Sequence, residues 1–140
     1  MGKLESIKDG AKDIGSCDKI RTVRGYKSLT ELFYSPQGRE FCQAHNYPSI
    51  EQFREIKQEV FPYNVFVDSG DISLKDVHRI ALVGDTHAKI EAEGVDDVFL
   101  IILMHGATAR IKATKYAVIN IVNISGGEVA IDNDITTKIL

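Results

Sequence analysis

Four histidines and two cysteines are the residues best suited to chemistry at neutral pH: His45, His78, His87, His105, Cys17 and Cys42. One pair, in Cys42-Gln43-Ala44-His45, stands at metal-ligand spacing, and Cys17 offers a third donor. A structural zinc site takes four ligands, usually as two close pairs. Only one pair is visible, so no metal and no cofactor is expected. Cys42 with His87 or His105 would make a nucleophile and base if the fold joined them. No local signature marks that pair, and Cys42 reads better as a small buried thiol on a helix, with His45 at that helix's C-terminal end, where the dipole favours it. Two cysteines without a secretion signal read as free thiols. Asp68, Asp71, Asp96 and Asp97 are the acid/base candidates for work on a sugar. Their neighbours are turn formers, and aspartate in a turn usually accepts from backbone N–H groups. Gly126-Gly127 lacks the lysine and the following helix of a phosphate loop. No catalytic residue is therefore expected.

What positions these residues is clearer than what they do. His87-Ala88-Lys89-Ile90-Glu91-Ala92 recurs as Thr108-Ala109-Arg110-Ile111-Lys112-Ala113, and more loosely as Glu128-Val129-Ala130-Ile131-Asp132-Asn133. The central isoleucines are 21 and then 20 residues apart, and each copy follows an apolar run and a glycine (Gly84, Gly106, Gly126). A fixed period of about 20 residues built from strand and turn is the signature of stacked β coils. Ala88, Ile90 and Ala92 share one face, as do Ala109, Ile111 and Ala113. Lys89, Glu91, Arg110 and Lys112 point the other way. Val65–Val67, Ile80–Val83, Val98–Met104 and Ala117–Ile124 are further runs of strand length. The short Gly70–Gly84 spacing fits the period poorly, and Lys89 beside Arg110 places like charges together.

Before Pro62 the pattern is helical. Ser28-Leu29-Thr30-Glu31 and Ser49-Ile50-Glu51-Gln52 read as capping boxes. Ser35-Pro36 reads as an N-cap followed by proline at the first helical position. Residues 3–14 form a further candidate helix, and Ile50, Phe53, Ile56 and Val60 line one helix face. The expected fold class is α+β: a helical N-terminal cap over residues 1–62 on a repetitive β body over 63–140, packed as one unit. The body resembles the short parallel β-helix proteins, a family of shapes rather than of activities. That resemblance implies a right-handed parallel β-solenoid and no particular site residue. The alternative is an antiparallel β roll or sandwich, with Gly84-Asp85, His105-Gly106 and Gly126-Gly127 as hairpin turns.

The totals exclude more than they assign. The chain has 140 residues and a net charge of −3. Residues 1–65 hold 10 Lys+Arg against 9 Asp+Glu, and residues 66–140 hold 7 against 11. Nucleic acid wants a basic face, so it is not an expected partner. Met1–Lys12 has no apolar signal core and the longest apolar run, Val98–Met104, is too short for a bilayer, so a cytoplasmic protein without membrane contact is expected. Val98–Met104 does not alternate, which requires cover on both faces. Phe99 and Ile101, aligned by glycine with Val77, Arg79, Ile119 and Ile121, are read as an outer apolar stripe, either covered by the helices carrying Phe41, Phe53 and Ile56 or open to a partner. The expected function is a non-enzymatic protein–protein interaction module, such as an inhibitor or immunity-type partner or a mobile-element accessory protein. Its contact residues are expected among Lys89, Glu91, Phe99, Ile101, Arg110, Lys112 and Ile121. The alternatives are a carbohydrate-active enzyme using aspartates on the β face and a structural homo-oligomer.

Overall fold

The computed structural model describes residues 2–15, 18–94 and 98–140, so the expectations for Cys17, Asp96 and Asp97 lie outside the described residues. The chain divides into two compact units, residues 1–65 and 66–140.

The first unit is helical: α1 (Lys3–Asp13), α2 (Tyr26–Tyr34), α3 (Pro36–His45), α4 (Ile50–Glu55) and α5 (Lys57–Val60), with short 3-10 turns at Asp18–Thr22 and Phe61–Tyr63. Two of the three caps form as read. Ser35 Oγ accepts from Gly38 N at 3.1 Å and Pro36 opens α3. Ser49 Oγ accepts from Gln52 N at 3.2 Å, while Gln52 Oε1 accepts from Ser49 N at 2.8 Å. The third is corrected. Helix α2 starts two residues before Ser28, with Gly25 as N-cap. Ser28 Oγ reaches back to accept from Arg24 N and Gly25 N at 2.9 and 3.1 Å. A serine hydroxyl serves either end of a capping box, so its presence fixes the helix start only to within three residues. Gly38 lets α3 cross α2 closely, since a Cβ there would collide with the carbonyl oxygen of Leu32. Lys8 is buried and its Nζ donates to Val23 O at 2.8 Å, which ties α1 to the end of the first 3-10 turn.

The second unit is a parallel β-solenoid. Its strands alternate between two sheets. One is β1 (Val65–Val67), β3 (Arg79–Val83), β5 (Val98–Met104), β7 (Val118–Asn123) and β9 (Lys138–Ile139), in that spatial order. The other is β2 (Gly70–Lys75), β4 (Thr86–Glu93), β6 (Thr108–Thr114) and β8 (Val129–Asn133). The pairs β2–β4, β3–β5, β4–β6, β5–β7, β6–β8 and β7–β9 are all parallel, which removes the antiparallel roll. The glycines taken as hairpin turns are corners that pass the chain from one sheet to the other. Gly84 and Gly106 take φ of 68° and 90° there, a region open to glycine at little cost.

The repeat sets the register as read: Ile90 pairs with Ile111 and Ile111 with Ile131. Leu74 heads the same column, only 16 residues before Ile90, so the first coil has shorter turns. Between the sheets lies one core of Ile80, Leu82, Ile90, Phe99, Ile101, Leu103, Ile111 and Ile119, with Ala88, Ala92, Ala109 and Ala113 beside them. Glycine alignment mispairs β3 by one residue. Ile101 opposes Ile80, not Arg79, and the ring of His78 stacks on Phe99 at 4.8 Å. A one-residue slip reverses a strand's faces. Phe99 and Ile101 are therefore 1% and 0% exposed in the solenoid interior, and the expected outer apolar stripe is corrected. The opposite face of β3 and β5, carrying Ala81, Val83, Ile102 and Met104, is buried too, as the absence of alternation requires.

Candidate functional site

The outer face of the β2-β4-β6-β8 sheet is where the repeat brings polar side chains together. Parallel pairing aligns equivalent positions into columns whose successive members are about 4.8 Å apart. One column reads Ser73, Lys89, Arg110, Ala130, and the next reads Lys75, Glu91, Lys112, Asp132. The second alternates in sign, which is favourable across neighbouring strands. The first sets two cations side by side. Neither Lys89 nor Arg110 makes a hydrogen bond or ion pair among the described residues, and both are exposed. They stand in a shallow depression of about 430 Å³ whose walls also carry Asp71, Ser73, His87, Thr108 and Glu128.

One edge of this depression holds a hydroxyl–imidazole–carboxylate chain. His87 Nδ1 lies 2.7 Å from Thr108 Oγ1, and His87 Nε2 lies 2.9 Å from Asp85 Oδ1. An ionised carboxylate only accepts, so Nε2 carries a proton. In the neutral ring Nδ1 then accepts from the Thr108 hydroxyl. The geometry has the order of a nucleophile, a base and its orienting acid. The surroundings do not: the side chains of His87 and Asp85 are 44% and 77% exposed, where water screens what such a chain supplies. Of the aspartates expected to act on a sugar, Asp71 lies in this depression, and the other carboxylate in its wall is Glu128, which was not among them. The two stand three strand steps apart, about 14 Å by strand spacing. Glycoside hydrolysis holds its pair within about 10 Å. Asp68 does what a turn aspartate does, accepting from Asp85 N at 2.8 Å.

No family model, curated protein or solved structure matches the chain.

Of the residues expected to make contacts, Lys89, Glu91, Arg110 and Lys112 share this exposed face, and Ile121 is half-buried against the solenoid core. Phe99 and Ile101 are withdrawn from any surface by the interior position described above. The depression also contains residues the sequence reading passed over: Ser73, Thr108 and Glu128, with Asp85 beside them. A signal for the histidine chain was present. Asp85 precedes His87 by two residues, and Thr108 follows it by one period of the repeat. His45 does end α3, with its ring tilted against Phe41 at 4.7 Å. Among the described residues no three His, Cys, Asp or Glu side chains cluster as metal ligands, and no helix is long and apolar enough to cross a membrane.

The helical unit holds a second concavity, of about 350 Å³ and almost wholly apolar, lined by residues from Ile7 to Val65. Cys42 lies in its wall, and burial pushes its thiol up to about 12.

Proposed function

We propose that this chain is a non-enzymatic binding module whose contact surface is the outer face of the β2-β4-β6-β8 sheet, and that it takes an acidic segment of a partner protein there. The observation carrying this is the Lys89–Arg110 pair. Like charges on adjacent strands destabilise a sheet by a few tenths of a kcal/mol to about 1 kcal/mol. A carboxylate from outside relieves that repulsion and gains a charge-assisted hydrogen bond. The alternating Lys75, Glu91, Lys112, Asp132 column beside it supplies a rim that favours one register of the bound segment.

The test compares wild-type protein with Lys89→Glu/Arg110→Glu as immobilised bait in an extract of the native cell, read by quantitative mass spectrometry. The expected result is a protein captured by the wild type and lost from the double variant. Its binding should weaken several-fold between about 50 and 300 mM salt, as screening dictates. The same proteins captured equally by both baits would refute the reading.

A further inference from the structure

We propose that the helical unit binds a small uncharged apolar molecule, of two or three rings or an aliphatic equivalent, in the pocket framed by α1, α2, α3 and α4. Four observations lead there. The first is size: about 350 Å³ lies at the lower end of the range of small-molecule sites. It is more than twice the roughly 150 Å³ that accommodates a single benzene ring.

The second is the state of the polar atoms in the wall. The Tyr47 hydroxyl donates to Ile7 O at 2.7 Å and accepts from Gln52 Nε2 at 3.0 Å. The Thr30 hydroxyl donates to Lys27 O at 2.9 Å. These groups have their partners already, so a ligand that needs hydrogen bonds gains little by entering, and water gains as little.

The third is charge. Among the described residues no lysine, arginine or histidine lines the pocket, and the charged residue that does is Glu40. An anionic amphiphile would bring its carboxylate or sulfonate to a wall whose described residues offer no cation and carry the Glu40 carboxylate. The fourth is access. Gln37, Glu40 and Ala44 line the pocket yet are exposed, and their spacing on α3 puts them on one side of that helix. They mark the mouth, and Glu40 stands at it.

The test titrates the full chain with two fluorescent probes that share one hydrocarbon skeleton. N-phenyl-1-naphthylamine is uncharged, and 1-anilinonaphthalene-8-sulfonate adds an anionic group. The expected result is saturable binding of one uncharged probe per chain, with the sulfonate at least about 10-fold weaker. Two substitutions at the exposed mouth, where folding is little affected, localise the binding. Ala44→Trp should weaken the uncharged probe by about 10-fold or more while leaving far-UV circular dichroism unchanged. Glu40→Lys should narrow the gap between the probes by strengthening the sulfonate several-fold. Non-saturable binding, equal affinity for both probes, or indifference to Ala44→Trp each overturns the proposal.

Discussion

Single residues in this protein are governed by which of two surroundings they meet, a dry interior or an open polar face. Cys42 is the clearest interior case. Its thiol ionises near 9.0 when unperturbed and only at about 12 in the folded helical unit, because burial penalises the thiolate. Below pH 9 both states hold the proton and stability does not depend on it. Above pH 9 the unfolded chain releases the proton and the folded chain keeps it, so stability falls as pH rises, by up to about 1.4 kcal/mol per unit. Denaturant melts between pH 8 and 10.5 should show this slope in the wild type. Cys42→Ala should melt lower at pH 8 yet lose the extra slope; parallel curves for the two proteins would contradict the assignment. Ile111 is the interior case in the solenoid, 0% exposed at the centre of the Leu74–Ile90–Ile111–Ile131 column. Ile111→Asp buries an unpaired charge and should cost more than about 4 kcal/mol, abolishing the cooperative melt of the β unit, whereas Ile111→Val should cost only about 1 kcal/mol. A melt of Ile111→Asp indistinguishable from that of Ile111→Val would mean the column does not form the core.

At the scale of strands and helices, the same repeat has two consequences. Inward it repeats Ala-x-Ile-x-Ala, so that small and large side chains stack in register along β4 and β6. Outward it repeats charge, and because parallel pairing aligns equivalent positions, it cannot help placing Arg110 beside Lys89. This strain is confined to one column, since its neighbour alternates in sign. Arg110→Glu should therefore raise the stability of the isolated protein by roughly 0.5 kcal/mol, seen as a higher Tm, while weakening capture of an acidic partner. Stability and binding would then move in opposite directions, which a purely structural role for Arg110 does not produce. A lower Tm for Arg110→Glu would show that the pair is not repulsive. The helices show the limit of local signals. Ser35-Pro36 and Ser49 to Gln52 each fit one arrangement and were legible; Ser28 fits two, and the extra turn at Tyr26 was not.

For the molecule as a whole, the decisive property is that strand neighbours in the solenoid lie about one coil apart in sequence. Each inner coil is held on both sides, whereas among the described residues β8 and β9 pair on one side. Strand β9 rests on the bonds from Lys138 N to Ala117 O and Leu140 N to Ile119 O, at 3.0 and 2.7 Å. Beyond β8, Ile135 is fully exposed. Stability in such a stack is a sum over neighbours, so in this chain it should fall toward β8 and β9. Amide hydrogen exchange should be slowest in β5 and β6 and at least about 10-fold faster in β8 and β9. Uniform protection across all coils would indicate that something holds the terminal coil in solution. The helical unit has its own apolar cluster around Ala11, Ile20 and Val23, and a pocket rather than a filled centre.

The sequence by itself determined the period, the inside of the repeat strands and most helix starts, because each is written in spacings of a few residues or one coil. Given parallel pairing, the same spacing also puts Ile90, Ile111 and Ile131 in one column and Lys89 beside Arg110. Only the tertiary structure decided the rest. Parallel pairing, rather than hairpins, depends on where each corner sends the chain, and glycine serves both. The face of Phe99 and Ile101 depends on where the glycine sits in its corner: Gly84 directly follows Val83, whereas Gly106 stands two residues beyond Met104, the partner of Val83, so aligning the glycines slips β3 by one residue and reverses its faces. The pocket depends on how closely α1 to α4 approach, a matter of total packing volume that no local pattern records. The convergence of Asp85, His87 and Thr108 joins a turn to two strands, and it exists only once the coils are stacked.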